Sequence, residues 1–163
     1  MSDVERASHD LSHSAVVRWT THASPERVWA VIEDGWTYGA WVVGASRVRA
    51  VDASWPAPGA RLHHSVGVWP LVRDDSTSVL ECDPERMYVL LRARVRPWGT
   101  QLVELEVGLG SDGTEVTMRE DASGGLAVLA PPPARRLALR VRNREALHRL
   151  CLLAERETRH EEV

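Results

Sequence analysis

Two residues with chemical potential, His64 and Glu120, stand on faces that are otherwise apolar. In the run RLHHSVGVW (61–69), alternation puts Leu62, His64, Val66 and Val68 on one side and Arg61, His63, Ser65 and Trp69 on the other. In TEVTMREDA (114–122) it groups Val116, Met118, Glu120 and Ala122. A carboxylate on an apolar face must find a donor, be solvated or keep its proton, and each of these suits it to a ligand hydroxyl or to proton transfer. The competing readings are that Glu120 lies at a wet rim or pairs with an arginine, and that His64 is a hydrogen-bonded core histidine.

More candidates come from the two ends of the chain. Toward the C-terminus, Asn143, Ala146, Leu147, Leu150, Cys151 and Ala154 repeat at helical spacing, while Arg136, Arg140 and Asn143 make the stripe polar toward its start. If that start faces a cavity, Arg140 and Asn143 form a polar mouth for a ligand carboxylate or enolate, or neutralise Glu120; otherwise the first turns overhang solvent. Arg135, Arg142, Arg144 and Arg149 fall off the stripe and read as solvated. Near the N-terminus, Trp36, Tyr38 and Trp41 are either core or the lid and wall of a site for a ring-bearing ligand. Val66, Met87, Leu91, Met118 and Leu147 are the expected apolar walls.

Composition removes several chemistries. All 20 basic residues are arginine, so there is no lysine for a Schiff base, a pyridoxal phosphate or a P-loop. Cys82 and Cys151 are far apart and read as ordinary reduced thiols, and His9 and His13 lack a third ligand, so neither a metal nor a cofactor is expected. A net charge of −3 and a pI near 6.2 give no overall attraction for nucleic acid or anionic membrane. The polar start MSDVERASHD and the lack of any apolar run near ~18 residues lead us to expect a soluble, cytoplasmic protein without membrane insertion, monomeric or homodimeric. Phenylalanine is absent while tryptophan numbers 7, so indoles must supply the aromatic bulk and some could line or fill a cavity.

The elements that would position these residues follow from period and punctuation. Residues 1–12 read as a flexible tail, 13–157 as a single domain and 158–163 as a C-terminal tail. SAVVRWTTH (14–22) is a β-branched strand, and Ser24-Pro25-Glu26 caps a helix carrying Val28, Trp29, Val31 and Ile32. A second short helix or turn holds Trp36 to Trp41. From Ser46 the period is two, with strands at 46–53, 61–69, 72–82, 86–96, 101–109 and 114–122. Their connections are too short for parallel crossovers, which predicts an antiparallel meander. In 86–96 the inward set is Met87, Val89, Leu91, Ala93 and Val95; in 101–109 it is Val103, Leu105, Val107 and Leu109. Arg92, Arg94, Arg96, Glu104 and Glu106 oppose them as a solvated ladder. The last helix runs from Pro133 to about Glu157, and at ~1.5 Å per residue it spans roughly 36 Å, enough to cross the domain. The prediction is an α+β fold of about seven antiparallel strands wrapped on a long C-terminal helix, with two short helices between strands 1 and 2 propping a cavity open.

The segments ASPERVWAVIEDGWTYGAWVVG, WPAPGARLHHSVGVWP, RARVRPWG and RNREALHRLCLLAE, in that order, resemble the START-like superfamily SRPBCC, which includes the polyketide cyclase/dehydratase family. The resemblance covers roughly residues 13 to 157 and implies a helix-grip fold with a cavity for lipid-like, polyketide-like or aromatic molecules. It leaves three functions open. One is binding of a small, largely apolar molecule. Another is a cofactor-independent cyclase, aromatase or dehydratase in which Glu120 or His64 moves a proton and Arg140 stabilises an enolate. The last is a protein-interaction module with a filled interior.

Overall fold

The computed structural model describes residues 14–67, 70, 72–95, 99–124, 129 and 131–161. The expectations for the 1–12 tail with His9, for His13, for Val68, Trp69 and Arg96, and for the side chains of Val95 and Ala122 lie outside the described residues.

Strand β1 (Ala15–Thr21) leads into helix α1 (Pro25–Glu33), where the Ser24 hydroxyl accepts from the Arg27 amide at 3.4 Å and Pro25 occupies the first turn. Asp34 ends that helix and accepts from the Trp36 amide at 2.9 Å, starting a 3-10 turn (Gly35–Thr37) that runs into the one-turn helix α2 (Tyr38–Trp41). The meander follows as β2 (Ala45–Val51), β3 (Arg61–Val66), β4 (Arg73–Asp83), β5 (Tyr88–Val95), β6 (Gly99–Gly110) and β7 (Gly113–Gly124). Helix α3 (Pro132–Glu161) follows and extends past its expected end at about Glu157.

All seven strands form one antiparallel sheet in the order β1-β7-β6-β5-β4-β3-β2. The β1–β7 pairing brings the first strand back against the last, and Gly113 makes the close approach possible. Its φ is +137°, and a Cβ there would lie 2.6 Å from the Thr21 carbonyl oxygen. The expected fold is the observed one, and α3 packs on β1, β7, α1 and α2.

Alternation holds across the middle of the sheet. Leu62, Val89, Leu91, Leu105, Val107, Val116 and Met118 share one core with Leu147, Leu150, Cys151 and Ala154 of α3. Burial of the Cys151 thiol pushes its pKa up to about 12, with Glu155 adding to the effect, so this cysteine is an inert core residue. One inward expectation and one strand expectation fail where strands meet turns. Leu109 is 83% exposed, because it lies one step from the β6–β7 turn and beyond the core. Met87 lies in the β4–β5 turn with φ +49°, not in strand, and its side chain packs against the core from the turn. The outer face also holds more than a charged ladder. Leu90 and Leu102 are buried there beside Leu80 and Tyr88, and Glu104 and Glu106 pair with Arg119 of β7.

Candidate functional site

A cavity of about 250 Å³ lies between the sheet and α3. Its walls come from the α2 end and the segment after it (Tyr38, Trp41, residues 42–45), from β3 (His64, Val66), β5 (Leu91, Ala93, Arg94), β6 (Gln101, Val103), β7 (Met118, Glu120) and α3 (Arg142, Asn143, Ala146). Strands as far apart as β2 and β7 face one hollow of this size only because the sheet bends; five flat inter-strand steps would span ~24 Å. Gly44 and Arg94 are the exposed lining residues and mark where the cavity reaches the surface. Among the described residues no tryptophan plugs it: Trp41 is wall, Trp29 is packed in the core, and Trp36 is 61% exposed. The filled interior of the interaction-module reading is therefore absent.

Glu120 is fully buried, as its inward phase on β7 dictates. One carboxylate oxygen, Oε1, accepts from Arg142 Nη2, while Oε2 has no protein partner. Arg142 also donates from Nη1 to Gln101 Oε1 at 3.3 Å and from Nε to Asn143 Oδ1 at 3.4 Å. The arginine fixes the Asn143 amide, because a guanidinium only donates and so faces the amide oxygen. That turns Asn143 Nδ2 away from the arginine, and it too is buried without a partner. Arg142 thus does what was expected of Arg140. It stands on the flank of the helix, off the apolar stripe, and its long side chain carries the charge inward while remaining 32% exposed. Arg140 itself is exposed and outside the cavity. Arg135 is not freely solvated either, since its Nε lies 3.0 Å from the Asp121 carboxylate.

The opposite wall carries a second polar group. His64 is 3% exposed, and its Nε2 lies 3.1 Å from Thr77 Oγ1, which in turn lies 2.9 Å from the Tyr38 hydroxyl. The Tyr38 ring stands 5.2 Å from the His64 ring and packs edge-on against Trp41 at 5.5 Å. Burial pushes the Tyr38 phenol up to about 12, opposed by the bond to Thr77 and by the Arg142 charge, so it is a neutral hydroxyl. Burial likewise holds the His64 pKa below its usual value, against the raising influence of the Asp75 carboxylate and of the Ser65 backbone, which lies near the ring but outside hydrogen-bond geometry to Nδ1.

Of the twelve residues expected at the site, Tyr38, Trp41, His64, Val66, Leu91, Met118, Glu120 and Asn143 line the cavity. Leu147 is fully buried in the core but off the lining; Trp36, Met87 and Arg140 are also off it. Thr77, Gln101, Arg142 and Ala146 were not expected. The inward phase of β4 would have marked Thr77, which pairs with Leu62 and Ala93. Among the described residues no cluster of three or more His, Cys, Asp or Glu side chains could hold a metal ion, and no helix is long and apolar enough to cross a membrane.

No protein-family model matches the chain, and no curated protein matches it in sequence. Among solved structures the chain is similar to protein SA2116 of Staphylococcus aureus, with 12% identity, TM-score 0.70, and coverage of 90% of this chain and 95% of that one. It is also similar to Ara h 8.0201, with 10% identity, TM-score 0.66, and coverage of 87% and 97%. A third match is the di-domain ARO/CYC StfQ of the steffimycin biosynthetic pathway, with 10% identity, TM-score 0.67, and coverage of 94% of this chain and 55% of that one. The bent seven-stranded sheet closed on a long terminal helix is a helix-grip fold, and these solved structures share it.

Proposed function

We propose that the protein binds a small, largely apolar molecule carrying oxygen substituents in the cavity between sheet and α3. One observation carries this reading. Five buried side-chain polar atoms among the described residues have no hydrogen-bond partner within the protein, and four of them, Trp41 Nε1, His64 Nδ1, Glu120 Oε2 and Asn143 Nδ2, belong to residues lining this one hollow. Leaving a buried donor or acceptor unmade costs ~1–3 kcal/mol each, so their convergence on one apolar hollow supports a ligand that completes them. Such a ligand raises the thermal midpoint by mass action on the folded state. Native mass spectrometry of freshly purified protein and a thermal-shift panel of sterol, fatty-acyl and aromatic compounds test this. A retained small molecule or a dose-dependent rise is expected; neither across the panel would overturn the reading.

A second reading, a cofactor-independent cyclase or dehydratase, draws on the free oxygen of Glu120, a base placed against an apolar wall, and on the likeness in fold to the ARO/CYC StfQ. Here Glu120 Oε2 removes a proton next to a carbonyl, and Asn143 Nδ2 donates to the resulting enolate oxygen. Arg140 is exposed and off the lining, and the charge of Arg142 is already balanced by Glu120. Glu120→Gln should abolish turnover and leave ligand affinity within a few fold; surviving turnover would exclude Glu120 as the base.

A further inference from the structure

The directions of the hydrogen bonds around the cavity restrict what it can hold. On the β3 wall, Tyr38, Thr77 and His64 form a chain in which each hydroxyl has a single proton to give. If Tyr38 donates to Thr77 and Thr77 donates to His64 Nε2, every proton in the chain is used and His64 carries its own on Nδ1. The reverse direction strands the Tyr38 proton, and a double donation onto Thr77 strands the threonine proton. Each of those also leaves a bare lone pair on Nδ1. The first arrangement leaves the fewest unmade bonds and presents His64 Nδ1–H as a donor.

On the β7 wall the situation is inverted. Glu120 Oε2 is an acceptor without a donor. Its charge is balanced by Arg142, which also donates to Asn143 and Gln101, so the pair is neutral as a whole. An anionic group inside would meet Glu120 with no uncommitted cation beside it. The other cation on the lining, Arg94, is exposed at the rim, where water screens it. Asn143 Nδ2 and Trp41 Nε1 add donors, so the walls offer three donors and one acceptor. A polyol brings more hydroxyl protons than such walls can accept. A cavity of about 250 Å³ exceeds the ~150 Å³ that accommodates benzene, and so admits a body of roughly two fused rings.

Resting on the reading of this cavity as a ligand site, we propose that it selects a neutral hydroxy-carbonyl compound of bicyclic size. The hydroxyl donates to Glu120 Oε2 on one wall, and the carbonyl oxygen accepts from His64 Nδ1–H on the other. Thr77 and Tyr38 are positioning residues that set the direction of the histidine's bond, and Arg142 is the positioning residue that excludes anions by occupying itself with Glu120.

The test is calorimetric titration of the full chain with five probes of similar size: 1-tetralone, 2-naphthol, 6-hydroxy-1-tetralone, 6-methoxy-1-tetralone and 1-naphthoate. The hydroxy-tetralone should bind ~10-fold or more tightly than its methoxy counterpart, the value of one hydrogen bond to a charged acceptor. Naphthoate should bind more weakly than either. In Glu120→Gln, whose amide can donate to an ether oxygen, the hydroxy-to-methoxy ratio should fall toward one. Where that variant does not fold, the wild-type ratio decides alone. Equal binding of all the neutral probes, or tightest binding by naphthoate, would overturn the assignment of donors and acceptors while leaving the ligand site intact. No binding by any probe would remove both.

Discussion

Arg119 and Glu120 are consecutive residues of β7, and each belongs to an arginine–glutamate pair, yet the two pairs have different consequences. Arg119 faces outward and pairs with Glu104 and Glu106 of the neighbouring strand, a partly solvated contact in which its side chain is 32% exposed and theirs 15% and 43%. Glu120 faces inward and meets an arginine from the long helix, with its own side chain 1% exposed. An exposed ion pair contributes ~0–1 kcal/mol, because solvation lost and attraction gained nearly cancel. Breaking a buried pair on one side leaves an uncompensated charge. One residue step along a strand therefore separates a partly solvated pair on the outer face from a group that organises the interior.

Four experiments break or sharpen that contrast. Arg142→Ala strands the Glu120 carboxylate and should cost ~3–5 kcal/mol. At ~2–4 °C per kcal/mol for a chain of this size, the calorimetric midpoint should drop by roughly 10 °C. Thr77→Val keeps the shape but leaves the Tyr38 hydroxyl and His64 Nε2 unpartnered, for a loss of ~1–3 kcal/mol in urea unfolding.

Acid should act through His64. Its folded-state pKa is depressed, so just below the unfolded value near 6.5 the unfolded chain binds more protons than the folded one. The stability from a neutral His64 is thus present above about pH 6.5 and is lost as pH falls through that value toward the folded pKa. The urea midpoint should decline between pH 7 and pH 5 more steeply in wild type than in His64→Gln; parallel slopes would mean that His64 is not held neutral. The smallest effect belongs to the outer pair: Arg119→Ala should change stability by less than ~1 kcal/mol, and by less still in high salt. If Arg119→Ala and Arg142→Ala were equally costly, the distinction between the two faces would be wrong.

Much of this arrangement is legible in the chain before any coordinates. The switch from helical spacing to period two and back orders the elements, and alternation alone turns His64 and Glu120 inward because a strand's side-chain period is rigid. What escapes has a common physical source: partners far apart in sequence, joined by long side chains. Arg142 lies on the flank of its helix, and no wheel reveals that its guanidinium reaches a strand 22 residues earlier. The Tyr38–Thr77 bond spans 39 residues and leaves no spacing to read. At strand ends alternation loses its authority, as Met87 in its left-handed turn and Leu109 at its hairpin show. The outer cluster of Leu90 and Leu102 escapes because opposition to arginines and glutamates suggests a wholly solvated face.

The central claim is that the hollow is a binding site and not a packing fault, and Ala146, which lines it from α3, gives direct access to that claim. Titrating 2-naphthol into wild type and into Ala146→Phe, with the thermal midpoint of each recorded, separates the two. The account predicts that the variant stays folded, with a midpoint near or above that of wild type, and loses the probe's binding isotherm; a folded variant that binds the probe as wild type does would contradict it.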